Sequence, residues 1–165
     1  MKFDPLAVHE ASHAVVAHLL GGRLVRCAIK SGAGHTKWTG LSRLASLRAV
    51  VAGHQGERLL MPAEAHPDHA AEDIGTASRI ALSIARLGEA AKLEARGLRE
   101  PTPAMLARYE ARAEKIIGHA EAEAARLLAG HREALVLVAR RLHEDGTVTD
   151  ETVAAIVARS TKGGA

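Results

Sequence analysis

A chain of 165 residues, 47% hydrophobic but only 2% aromatic, is sized for one domain with a core of Ala, Leu, Val and Ile. Its charge of +3 arises from basic residues spread among acidic ones, as over 96–115, with almost no rings to stack bases, which argues against a nucleic-acid partner. No apolar run nears the ~18 residues of a membrane span, no secretory signal opens the chain, and one cysteine, Cys27, excludes an internal disulfide, so the cytoplasm is expected.

Asp4 and Pro5 suit the N-cap and first position of a helix that Gly21-Gly22 then stops. On this helix lies His9-Glu10-Ala11-Ser12-His13, a match to H-E-x-x-H. Residues four apart share a helix face, so His9 and His13 aim two imidazoles at one point. Glu10 sits beside the first of them, where its carboxylate reaches a water held at that point. A zinc peptidase needs these parts: two nitrogen ligands and a general base. With 10 histidines and 14 glutamates in the chain, chance yields the pattern with probability about 0.05, so its context must decide.

Residues 24–30 alternate Val25, Cys27 and Ile29 against Arg26 and Lys30, the period of a half-buried strand. Residues 31–34 are turn material, and 35–41 return as a second strand carrying Trp38 and Thr39. Its glycines read as a hairpin connection, since no phosphate-loop motif is present. A strand edge near the metal could align an extended peptide, with 28–34 the candidate stretch.

Residues 42–61 read as a second helix, with Leu44, Leu47, Val51 and Leu59 at helical spacing. Gly53 and Gly56 within it imply close packing against a neighbour. His54 and Glu57 are expected as solvated polar residues, with support of a metal ligand, or ligation of the metal itself, as the alternatives. Pro62 and Pro67 bracket a loop. A third helix from Ala71 presents Ile74, Ala77, Ala81, Ile84 and Leu87 and stops at Gly88. Zinc on two histidines needs a third protein ligand and an open position for water. His66, Asp68, His69, Glu72 and Asp73 all offer one, and their chemistry does not choose among them.

A linker at 99–101 precedes a long helix that starts at Thr102-Pro103, runs to Ala129, and carries Met105, Tyr109, Ile116, Ala120 and Leu127 on one stripe. A further helix spans 134–142, closed by Asp145-Gly146. The last begins at Thr149 with Val153, Ile156 and Val157, and 161–165 form a tail. The expected fold is mainly α (α+β): a hairpin beside the H-E-x-x-H helix and a C-terminal helical bundle, in one domain over 1–160.

The order of motifs resembles the zinc peptidase domain of the FtsH family of ATP-dependent membrane proteases. Ala7-Val8-His9-Glu10-Ala11-Ser12-His13-Ala14 is close to the family's A-x-H-E-A-G-H-A. Ala52-Gly53-His54-Gln55-Gly56-Glu57-Arg58-Leu59 is similar to G-G-R-x-A-E-E-L, and Asp73-Ile74-Gly75-Thr76-Ala77-Ser78 to the D-I-x-x-A-T of its third motif. The stretch 142–147 is similar to the end of the family's helical bundle. The resemblance implies that Asp73 is the third zinc ligand beside His9 and His13, with Glu10 as the base. It also implies an unfolded or flexible polypeptide substrate and a homo-oligomer, the family's peptidase domains forming six-membered rings. Since the chain carries neither ATPase module nor membrane segment, a separate ATPase subunit is an expected partner. Two departures stand out: Ser12 replaces the family's glycine, and His54-Gln55-Gly56 replaces R-x-A. The competing expectation is a regulatory or non-catalytic module that cleaves or binds one partner.

Overall fold

Helix α1 (Pro5–Leu19) is buried along its whole middle, from Ala7 to Ala17. A helix apolar on one face would lie at the surface; one enclosed on every side must be central to the packing. Asp4 caps it, its carboxylate accepting from the Leu6 amide at 3.0 Å, and Pro5 occupies the first turn. Gly21, at φ +84°, ends it, with amides of Gly21 and Gly22 returning to the carbonyls of His18 and Ala17. Val8, Val15 and Val16 are fully buried, each contributing about 1.5–3 kcal/mol of transfer free energy.

The computed structural model describes residues 4–63, 71–95, 97 and 99–160. After α1 come β1 (Arg23–Lys30), β2 (Ala33–Thr39), α2 (Arg43–Val50), α3 (Ala52–Leu60), α4 (Ala71–Ala85), α5 (Glu89–Ala95), α6 (Pro103–Gly130), α7 (Arg132–Asp145), β3 (Thr147–Val148) and α8 (Asp150–Ser160). The fold is mainly α with one small antiparallel sheet, in the order β2-β1-β3. One core joins the faces of α1, α2, α4, α6, α7 and α8, rich in alanine as the scarcity of aromatics requires.

Several boundaries differ from the sequence reading. The hairpin turns at Ser31-Gly32, so the return strand starts two residues earlier than expected, at Ala33. A register shift between Leu24 and Arg26 turns Val25 outward, leaving it 57% exposed while Cys27 stays buried. The expected helix over 42–61 is broken at Val51 into α2 and α3. The break frees the Ala49 carbonyl to accept from His13 Nδ1 at 2.7 Å. Ile74 and Leu87 lie outward on or beyond α4, whose buried stripe is Ala77, Ala81 and Ala85. Small residues bring α4 against α6, where a larger stripe would hold them apart. Helix α5 and strand β3 were not anticipated: α5 is short, and two residues carry no readable period. The loop residues His66, Asp68 and His69 and the tail 161–165 lie outside the described residues.

The two departures from the resembled motif face each other. A Cβ on Gly56 of α3 would collide with Ser12 Oγ and stand 2.8 Å from Ser12 Cβ on α1. Ser12 fills the space that Gly56 leaves, its hydroxyl donating to the Val8 carbonyl at 2.6 Å. Gly56→Ala is therefore expected to destabilise the protein by about 1–3 kcal/mol, despite alanine's better helix propensity. Adding Ser12→Gly should recover part of that loss. Urea unfolding of the four-member cycle measures it, and strict additivity would contradict the contact.

Candidate metal centre

His9 and His13 stand one turn apart on α1, with ring centroids 4.7 Å apart and planes at 82°. Each ring is fixed from behind. His9 Nδ1 donates to Glu57 Oε1 at 2.8 Å, and His13 Nδ1 donates to the Ala49 carbonyl at 2.7 Å. With Nδ1 committed as a donor, each neutral ring keeps its lone pair on Nε2. Both Nε2 atoms face Asp73 Oδ2 on the first turn of α4, at 3.0 and 3.1 Å. Ligand atoms of the three residues lie within 4.8 Å of one another.

Three acceptors brought together need a positive charge between or upon them. Without a metal, a proton supplies it. Burial alone would pull His9 down, but hydrogen bonds to Asp73 and Glu57, and their charges, outweigh it and hold the imidazole at about 9. Burial would raise Asp73, yet hydrogen bonds from His13 and His9 hold it well below the usual carboxylate range. A metal ion can replace that proton. Two ligands at ~2.0–2.2 Å from a tetrahedral zinc stand about 3.3–3.6 Å apart, and the two imidazole-to-carboxylate spacings, 3.0 and 3.1 Å, fall a few tenths short of that. The donor set therefore fits zinc: two imidazole nitrogens and one carboxylate oxygen, with the cleft open beside them.

Gly53 makes the pair of rings possible. A Cβ there would stand 2.5 Å from His9 Cε1, 2.6 Å from His9 Nε2 and 2.7 Å from His13 Nε2. Glu57, expected as a solvated residue, is instead wholly buried and holds His9. His54 stays partly exposed, with Nδ1 3.9 Å from Glu57 Oε2. Their shared spacing on α3 gave no sign of which one faced inward.

Glu10 lies beside the rings and is held by the sheet. Thr36 Oγ1 of β2 donates to Glu10 Oε2 at 2.6 Å. Gly34, also on β2, leaves the space its Cβ would fill to the Glu10 carboxylate. Sequence reading missed Thr36, because no spacing rule links a strand hydroxyl to a helix carboxylate 26 residues earlier. A cleft of about 570 Å³ runs past these groups, with α1 on its floor, residues 33–38 of β2 along one wall and Glu72, Asp73, Thr76 and Ile80 of α4 along the other. Cys27 sits beneath, fully buried; burial pushes its thiol up to about 12, against the opposing contact with the Thr36 hydroxyl.

No family model matches the chain, and no curated protein matches it. Among the described residues, no helix is long and apolar enough to cross a membrane.

Two outcomes follow from this geometry. Gly53→Ala should leave the helical circular dichroism intact while weakening divalent-ion affinity by about 10–100-fold in a competition titration, since it displaces both rings. Retained affinity would contradict the packing. Cys27, protonated and shielded, should resist a thiol reagent at pH 8 and react only after denaturant is added; prompt labelling of the folded protein would contradict its burial.

Proposed function

We propose that the protein is a zinc metalloendopeptidase of the kind its motifs resemble. The observation that carries this reading is the convergence of His9 Nε2, His13 Nε2 and Asp73 Oδ2 beside the Glu10 carboxylate at the floor of an open cleft. Zinc bound by those three residues would polarise a peptide carbonyl and bring the pKa of a coordinated water to ~7.

The chain's own groups do the rest. Glu57 and the Ala49 carbonyl hold the imidazoles in the tautomer that leaves Nε2 free to ligate. Glu10 accepts the proton of the attacking water and delivers it to the departing amine. Thr36 keeps one Glu10 oxygen engaged, which orients the carboxylate for that transfer. Strand β2 lies at the sheet edge along the cleft, where an extended substrate can pair with it. Such a substrate is an unfolded or flexible polypeptide, because a folded one presents no free strand to that edge. A separate ATPase that unfolds proteins is the partner such a site would need for structured substrates, and assembly into rings is the matching arrangement. The single, protonated thiol is compatible with a reducing compartment such as the cytoplasm.

The test separates metal from catalysis. His13→Ala and Asp73→Ala should each lose stoichiometric zinc by metal analysis. Glu10→Gln should keep zinc but lose cleavage of unfolded casein by 10²-fold or more (~10²–10⁴ for a general base). Full zinc in either ligand variant would overturn the site, and unchanged turnover in Glu10→Gln would remove it as the base.

A further inference from the structure

The positive charge of this chain is concentrated in one place. Between Glu10 and Glu57 there are six Lys and Arg and not one Asp or Glu; the other 16 Lys and Arg are outnumbered by all 19 acidic residues. That segment includes the hairpin. Pairing in β1 and β2 sorts the hairpin residues onto two faces. Cys27 and Ile29 opposite Thr36 and Gly34 form the inner face, against α1 and Glu10. Arg26 and Lys30, with His35 and Lys37, form the outer face, and all four are exposed.

This outer face is costly for the hairpin alone. Arg26 stands directly opposite Lys37, and like charges at paired positions repel. Among the described residues, neither they nor Lys30 has an ion-pair partner. Arg23, further along, differs: its charge acts on Glu151, whose carboxyl is lowered first by hydrogen bonds to its own backbone and to Thr149. The far wall of the cleft is acidic, through Glu72 and Asp73. The cleft is therefore electrically polarised across its width, with its positive side on the edge strand.

We propose that this hairpin selects extended polypeptide segments bearing acidic side chains at alternate positions. A segment paired along β2 would direct every second side chain to the outer face, next to His35 and Lys37 and within about a Debye length (~8–10 Å) of Arg26 and Lys30. Carboxylates there relieve the Arg26–Lys37 repulsion. Intervening side chains enter the cleft. A nucleic acid fits less well: phosphates do not pair with a strand edge, Glu10, Glu72 and Asp73 repel them, and Trp38 is the one Phe, Tyr or Trp among the cleft residues. The proposal rests on the hydrolase reading only for what happens to the segment once bound.

The experiment uses the full chain and two fluorescein-labelled nine-residue peptides, alike except for Glu or Gln at every second position. Anisotropy is read with Glu10→Gln protein, so that turnover does not intrude. The Glu peptide should bind about tenfold more tightly at 50 mM salt, and most of that preference should vanish at 0.5 M. The double variant R26Q/K37Q, altered only at exposed positions, should lose the preference while melting no lower than wild type, since it removes a repulsion. Equal affinity for the two peptides, or a preference that survives in R26Q/K37Q, overturns the proposal. Displacement of the peptide by oligo-dT at equal charge concentration, as effective as by the unlabelled Glu peptide, overturns it in favour of nucleic acid. Wild-type protein then reports on the other reading separately: a Glu peptide bound with preference but left intact upholds the surface and removes the hydrolase.

Discussion

Two acceptors placed behind a pair of imidazoles govern the site. Glu57 and the Ala49 carbonyl each take an Nδ1 proton, and in doing so they fix which nitrogen of each ring faces the cleft. Everything at the centre depends on that choice of tautomer. If either ring reversed, a donor would face Asp73 from the wrong nitrogen and the candidate ligand set would lose a lone pair. Glu57 is buried completely, and its bond to His9 offsets part of the cost of burying its charge. Glu57 and His9 therefore stabilise each other, and neither is independent of the fold that encloses them.

That enclosure is achieved with small side chains. Helix α1 meets α3 at a separation set by Gly53, which accommodates the imidazoles, and Gly56, which accommodates Ser12. A glycine in a helix interior costs about 0.5–1 kcal/mol relative to alanine, and α3 carries two. The cost is offset by the packing and by the geometry it permits. The same closeness explains the break at Val51: a continuous helix would keep the Ala49 carbonyl inside its own hydrogen-bond ladder, away from His13.

The sequence made the ends of α1, the pairing of His9 with His13 and the long α6 legible, because capping and helical spacing are local signals. Asp73 could be read only as one of five candidates until motif resemblance singled it out; the fold brings it to both histidines from 60 residues or more away. Glu57 and His54 looked alike at three-residue spacing, since nothing in a helical repeat tells which face the neighbouring helix will cover. Thr36 left no local trace, and the exit of Val25 depended on a bulge that hydrophobic alternation does not encode. The charge segregation was visible in the sequence but was obscured by the mixed stretch over 96–115. It acquired meaning only when strand pairing placed Arg26 opposite Lys37.

The centre is also assembled from parts that can be perturbed separately. Helices α1, α2, α3 and α4 supply the two imidazoles, their two anchors and the carboxylate, with the imidazoles and Glu57 buried and Asp73 partly exposed at the cleft. Strand β2 supplies Thr36 to Glu10 and an exposed edge to the cleft. A change on the outer face of the hairpin can therefore leave the imidazoles and Asp73 in place, whereas a change at Gly53 can displace both rings without touching the edge. Thr36 is where the two parts meet, its hydroxyl on Glu10 and its backbone in the strand. A segment pairing with β2 would thus act on the same strand that holds the Glu10 carboxylate, so the proposed peptide binding would have a direct mechanical route to the proposed base.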